Sequence, residues 1–380
     1  MRLPNQLEIY EKTLIDLFTD RFKFTTSIES SMTSNPALPT TPTIADIARL
    51  AGVGTATVDR VLNRRPGVNA ETVERVMQVV AGMGTPPQPG RPRRGEKFRF
   101  AYVLPAEPAP MFGLIERQIA QSAGDFRHQH ITEVTHRIDT RDPHQFAAAL
   151  AALADCHGIA LLAPDMPPVK LAVNELVRAG VHVVTLLSDV AGSMRETHIG
   201  ADNRAAGRTA GLLLARMAQA DRRNTLLLSS QATRLSAEIE RRIGFTQVLE
   251  ERFPQLKLVR TPDLPADDAG AESALSQFLA GAIDTDRIAG IYNVGCGTPG
   301  VVNAFTSAGL GAVTGKVAHD FTDEHRAMLG TGALSYVLHQ DIHYCVLAAA
   351  RVLRGLCENV RGALSVVQPR VEILTAENLH

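Results

Sequence analysis

Apolar positions recur with two different periods along this 380-residue chain. From Thr43 to Met83 they fall three or four apart: Ile47, Ala48 and Ala51, then Val58, Val61 and Leu62, then Val68 with Val73. That spacing puts each group on one stripe of a helix. Thr43-Ile44-Ala45-Asp46 reads as a capping box that opens the first helix, and Gly52 supplies the left-handed turn that closes it. A second helix is predicted from Thr55 to Asn63. Asn69 caps a third, with Val68 and Val73 placed as a hydrophobic staple. Three short helices, the first two joined by a tight glycine turn, predict a helix-turn-helix over residues 43–84.

After Gly95 the pattern becomes short apolar runs alternating with amphipathic stretches. The runs FRFAYVL, EVTHRI, GIALLA, HVVTLL, NTLLLS, LKLVR, IAGIYNV, KVAHD, LSYVLHQ and PRVEIL read as strands. Pro168–Ala179, Arg204–Ala218, Ala237–Glu251 and Ile342–Leu356 read as helices between them. Buried strands alternating with helices imply parallel sheets in doubly wound α/β layers. Residues 98–376 are long for one core, so two similar lobes are expected.

Two segments fit neither pattern. Residues 1–42 form an extension whose first 31 positions would make one amphipathic helix, and Met32 offers a second start just before the first clear domain. The extension is therefore either a mis-assigned start or a dimer-contact helix. Residues 85–97 contain PPQPGRPRRG, with four prolines and three arginines: a stiff linker.

Composition narrows the function classes. Hydrophobic residues at 45% and charged residues at 21% suit a globular protein with a sizeable core. The net charge of −1 carries no signal for nucleic acid, but residues 43–94 hold eight arginines against four acids, a local +4. The four cysteines lie far apart with no C-x-x-C, which argues against a zinc ribbon or disulfide framework and suits a reducing cytosol. No apolar run approaches a membrane span or a secretory h-region, so the chain is expected in the cytoplasm.

The segment TIADIARLAGVGTATVDRVLNRRPGVNAETVERV, residues 43–76, resembles the DNA-binding headpiece of the lac repressor (LacI/GalR) family. The matching frame is T-I-x-D-I-A-x-x-A-G-V-x-x-x-T-V-x-R-V-L-N. The remainder resembles, less specifically, the two-lobed sugar-binding type I periplasmic proteins. The resemblance implies a headpiece whose second helix enters the major groove of double-stranded DNA. Thr55, Ala56 and Asp59 would then face base edges, while Thr43, Thr57, Arg60 and Asn63 hold or flank the phosphates. Two positions depart from the family: Gly54 and Asp59 stand where serine is usual. Asp59 can accept from a cytosine amino group but repels phosphate.

The linker departs further. In the family it folds into a hinge helix whose leucine wedges into the minor groove. Four prolines, at about 3 kcal/mol each in a helix interior, forbid that helix here, and no leucine is present. Two readings stay open for Arg91, Arg93 and Arg94. Gly90-Arg91-Pro92 resembles the core of an AT-hook lying along a narrow A·T groove. Alternatively the arm is a solvated spacer whose charges act non-specifically.

In the α/β part, the resemblance assigns ligand-binding roles to Asp202, Asn203, Arg241, Asn293, Asp320 and Gln340. Carboxylates, amides and arginine at strand ends suit polyhydroxylated ligands. Phe112, Tyr292 and Phe321 are candidates to pack on a sugar face. A rival exists: Gly295-Cys296-Gly297-Thr298-Pro299-Gly300 is G-x-G-x-x-G after a strand, and Asp320 ends the next one. That is a dinucleotide fingerprint, and it would make the chain an NAD(H)-sensing regulator or a dehydrogenase. Other enzyme signals fail. GAVTGKV has the wrong P-loop spacing, G-x-S-x-G is absent, and His339-x-Asp341-x-His343 reads as ordinary surface histidines rather than a metal site.

The sequence is therefore read as a cytoplasmic, homodimeric, ligand-responsive transcriptional regulator, with no catalytic residues and no cofactor. It would act as a repressor by family habit, and its operator affinity would be tuned by a small sugar or polyol.

Overall fold

The helical and strand periods each fold as their own unit. A computed structural model of the chain describes residues 44–62, 67–82, 98–126, 130–220, 223–232, 234–281, 283–312, 314–360 and 366–379. These fall into two compact units, one on each side of positions 90–91. The expectations for residues 1–42, Thr43, Asn63, Arg91, Arg93 and Arg94 lie outside the described residues.

In the first unit, helices α1 (Ile44–Ala51), α2 (Thr55–Leu62) and α3 (Ala70–Gly82) pack around one apolar cluster. Ile47, Val58 and Val76 are fully buried there, and Val68 and Val73 pack against them, as a staple requires. Gly52 turns the chain out of α1 at φ 64°, and Asn69 Oδ1 accepts from Thr72 N at 2.8 Å to open α3.

The second unit has two sheets. The first lobe orders its strands β2-β1-β3-β4-β5, all parallel: β1 (Phe98–Pro105), β2 (Ile131–Ile138), β3 (Gly158–Leu161), β4 (His182–Leu186) and β5 (Thr197–Ile199). Helices α4 (Pro110–Phe126), α5 (Pro143–Ala151) and α6 (Pro167–Arg178) are interleaved with those strands. The second lobe begins with α7 (Asn203–Ala220), β6 (Thr225–Ser229), α8 (Ser236–Arg252), β7 (Lys257–Arg260) and α9 (Asp268–Gly281). It continues with β8 (Ile288–Asn293), α10 (Thr298–Ser307), β9 (Gly315–His319), α11 (Asp323–Gly330) and β10 (Tyr336–Gln340). The order is β11-β10-β9-β8-β6-β7, with β11 (Val371–Leu374) the one antiparallel edge.

The chain crosses between lobes after β5, after β10 and again before β11. Helix α12 (Ile342–Cys357) follows the second crossing and buries Ile342, Cys345, Val346 and Leu353 in the first lobe's core. The predicted alternation thus matches two doubly wound layers, with most predicted strands shifted by a residue or two at their ends. The three-residue β5 is too short to give a periodic signal.

Candidate functional site

In the headpiece, α2 buries Val58 and Val61 in the cluster it shares with α1 and α3, and Leu62 packs against it. Thr55, Ala56 and Arg60 are exposed, and Thr57 and Asp59 are half-buried. The exposed start of α2 is the end that a recognition helix inserts into a groove. Ala56 brings only a methyl group, which can contact a thymine methyl but cannot hydrogen-bond.

The second unit holds a cleft of about 540 Å³ between its two lobes. It is lined by the loops leaving the C-terminal ends of the parallel strands, where open α/β sheets place their ligands. The first lobe contributes residues such as Met111, Leu162 and Leu187; the second contributes Glu238, Arg241, Gly295–Pro299, His319 and Asp320. Gln340 lines the crossing itself, and its Oε1 accepts from Ala201 N at 3.1 Å, tying two crossings together. The lobes also touch directly. Ser188 Oγ meets Ser236 Oγ at 3.1 Å, Asp165 N donates to Arg234 O at 3.0 Å, and Arg117 pairs with Asp323 at 3.6 Å.

Arg241 is the organising charge of the second lobe's wall. Its Nε donates to Asn203 Oδ1 at 2.8 Å, and its Nη1 lies 3.8 Å from Asp320 Oδ2. Asp320 sits at φ 64°, in the left-handed region that a side chain with a Cβ disfavours by about 1–2 kcal/mol. Strained backbone of this kind concentrates at working sites, and here it holds a carboxylate in the cleft wall.

Several polar atoms around this wall are buried without a protein partner: Glu238 Oε2, Tyr292 Oη, His319 Nε2 and Asp320 Oδ1. Burial, opposed in part by Arg241, pushes the Glu238 carboxyl up to about 7. Burial also holds His319 neutral, well below its usual range, and raises the Tyr292 phenol. The Cys296 thiol is pushed up to about 12, so it stays protonated and unreactive. Orphaned polar atoms are rare in folded proteins; of these residues Glu238, His319 and Asp320 line the cleft, where a hydrogen-bonding ligand could meet them, and Tyr292 lies behind His319.

Of the residues singled out by sequence, Arg241, Asp320 and Gln340 line the cleft. Asn203 stands behind Arg241, with Nδ2 donating to Leu187 O and Ala201 O. Asp202 is exposed and accepts from Ala205 N at 2.8 Å, as a helix cap does. Asn293 lies beneath the 295–298 loop. Its Nδ2 donates to Gly295 O, Cys296 O and Thr298 Oγ1, and its Oδ1 accepts from Ser229 Oγ.

Aromatic packing also differs from expectation. Phe112 belongs to the first lobe's core under the Arg137 guanidinium and borders only a smaller adjoining cavity of about 360 Å³. Tyr292 is buried between Phe245 and His319, and Phe321 packs on Arg326 and His339. Sequence reasoning missed Glu238 and His319. The one signal for them was position: Glu238 precedes Arg241 by one helical turn, and His319 precedes Asp320.

The two rival motifs have structural employment. A Cβ on Gly300 would lie 2.0 Å from Asp268 O, so this glycine serves the α9–α10 contact. Asp320, the acid of the fingerprint, pairs with Arg241. In the His339–His343 stretch, His339 Nδ1 accepts from Phe321 N, Asp341 caps α12, and His343 meets Gln118. Among the described residues no group of His, Cys, Asp and Glu could hold a metal ion, and no helix is long and apolar enough to cross a membrane.

Comparison with known proteins follows the same division. Residues 43–88 match the bacterial regulatory proteins of the lacI family, and residues 100–359 match the periplasmic binding protein domain. The HTH-type transcriptional regulator TreR of Salmonella typhimurium is 44% identical over 63 residues, as is TreR of Escherichia coli. The match spans 16% of this chain and only 20% of the length of those relatives. The Caulobacter myo-inositol binding protein superposes with a TM-score of 0.64 at 20% identity, over 76% of this chain and 97% of that one. GanP, a glucose-galactose binding protein from Geobacillus stearothermophilus, gives 0.65 at 16% identity, over 75% and 99%. At such identities the likeness is one of fold.

Proposed function

Because the chain belongs to the periplasmic binding protein domain family and carries a lacI-family headpiece before that domain, we propose that it is a ligand-responsive DNA-binding transcriptional regulator. One observation carries the reading. The same chain exposes the start of a recognition helix in one unit and encloses a cleft with orphaned polar atoms in the other. The protein acts on DNA in the cytoplasm, as a homodimer whose two headpieces occupy successive major grooves of a roughly palindromic operator. Thr55, Ala56 and Asp59 read bases, and Thr43, Thr57, Arg60 and Asn63 hold or flank the backbone. Arg91, Arg93 and Arg94 add charge along the DNA from the linker.

The effector is a small sugar or polyol held by Arg241, Asp320, Gln340 and Glu238. Asn203 fixes Arg241, and Asn293 fixes the loop below the ligand. Repression relieved or strengthened by this effector follows if the ligand binds two lobe arrangements with different affinity. Four prolines in the linker sequence disfavour the family's hinge helix, so the effector would act by changing how the headpieces are spaced.

In vitro selection of random DNA by the purified full chain tests the reading. Enrichment of an inverted repeat, bound more weakly or more tightly once a stabilising sugar is added, is the expected result. Binding without any sequence enrichment would sink it.

A further inference from the structure

The two walls of the cleft differ in chemistry. The first lobe presents mainly aliphatic surface, from Met111, Leu162, Leu187 and the Pro108–Pro110 turn. The second presents the charged and orphaned groups. A ligand hydroxylated on every side would leave hydroxyls unpaired against the first lobe. No phenylalanine, tyrosine or tryptophan lines the cleft among the described residues, so the apolar contact is aliphatic rather than stacked.

Charge is equally lopsided. Two arginines line the cavity against five carboxylates, three of them (Asp267, Asp268 and Glu324) exposed at the rim. Arg137 is committed elsewhere, its Nε donating to Glu116 and its Nη1 to Pro105 O, each at 2.7 Å. Arg241 is committed to Asn203 and stands 3.8 Å from Asp320, beyond hydrogen-bond reach. Asp320 is only 7% exposed, yet its Oδ1 has no partner, and neither has Glu238 Oε2. The two carboxyls feel each other, since the charge of Asp320 is among the causes that raise Glu238. An anion would be repelled by the carboxylates of this wall, and a hydroxyl, with one proton to give, would leave one of the two orphaned oxygens unpaired.

The geometry points to an effector that brings a second positive charge beside Arg241: an amine-bearing polyol, its ammonium group between Glu238 and Asp320 and its carbon skeleton against the first lobe's aliphatic wall. This rests on the effector reading above and narrows it. An ammonium group has three donors and no acceptor, which suits two orphaned carboxylate oxygens where a hydroxyl supplies only one proton. The charge-assisted bonds so formed are the stronger kind.

The test is a thermal-shift and calorimetric titration of the full chain with D-glucosamine, D-galactosamine and D-mannosamine. The parent hexoses and the corresponding uronates are run beside them. At least one amine should bind at least tenfold more tightly than its parent hexose and its uronate, with the preference lost in both Glu238→Gln and Asp320→Asn. The unligated Glu238→Gln chain should melt no lower than the natural one, which separates lost binding from lost folding. A hexose or uronate that binds as tightly as its amine, or an amine preference that survives both substitutions, overturns the cationic class and leaves the effector reading standing. Failure of every sugar, whatever its charge, overturns both, while operator selection still judges the DNA-binding half separately.

Discussion

Gly207 of α7 lies so close to Arg241 of α8 that a Cβ at position 207 would be 1.9 Å from the Arg241 carbonyl oxygen. The spacing of these two helices sets where the Arg241 guanidinium enters the cleft. Gly207→Ala must push the helices apart, and overpacking of this kind costs about 1–3 kcal/mol or more. The effector-domain transition in urea is expected at a lower midpoint, with ligand affinity reduced although Arg241 itself is unchanged. An unaltered midpoint would show that the helices are not held by this contact.

Much of this was legible in the sequence, for reasons that particular residues make plain. The headpiece helices carry strong local signals, with Asn69 and Gly52 acting where capping and turn chemistry put them. Arg241, Asp320 and Gln340 were legible through the resemblance to sugar-binding proteins, which assigns ligand-facing roles to their motifs. The roles of Asn293 and Asn203 were not. Both are amides at comparable positions, and only the fold shows that they hold a loop and an arginine rather than line the cavity. The place of Phe112 was hidden for a related reason, because an aromatic at a helix start packs as readily into a lobe core as over a ligand. Glu238 was passed over because an acid in a charged helix reads as solvated until the fold closes around its Oε2.

Asn293 therefore behaves as a structural residue. It makes four side-chain hydrogen bonds in and under the 295–298 loop. Asn293→Ala leaves those partners unsatisfied and is expected to cost on the order of 2–3 kcal/mol in the unligated protein. Glu238→Gln, which keeps the shape of a carboxyl that burial already disfavours as an anion, should leave stability nearly unchanged or raised. Denaturation of the two variants without ligand checks the contrast, and an undiminished stability for Asn293→Ala would return that residue to a purely ligand-facing role.

Glu238 also gives the effector domain a pH dependence. Its carboxyl is raised from an ordinary 4.5 to about 7 by burial and by Asp320, against the lowering influence of Arg241 and Arg242. Between those values the folded state retains a proton that the unfolded chain has lost, so stability falls as pH rises through the window and levels off above it. The neighbouring Tyr292 phenol and Cys296 thiol are raised away from the window, and His319 is depressed and stays neutral in the upper part of it. Melting temperatures of the natural chain and Glu238→Gln, compared from about pH 5 to pH 8, should diverge by an amount that grows with pH, on the order of 1 kcal/mol or more at the upper end. Parallel curves would place the raised carboxyl elsewhere.

The linker arginines make the last prediction. A proline-interrupted arm cannot supply a hinge helix, so any help it gives to DNA binding must come from its guanidinium groups. If Arg91, Arg93 and Arg94 each neutralise one phosphate, changing all three to Ala removes up to about 2.7 from the slope of log K against log salt. Non-specific contact weakens binding to all DNA alike, whereas minor-groove reading selectively weakens operators whose flanks are A·T-rich. Anisotropy titrations of the triple variant, on operators with A·T and G·C flanks at several salt concentrations, separate the two. An unchanged affinity and slope on both would reduce the arm to a spacer and leave DNA binding to the three helices alone.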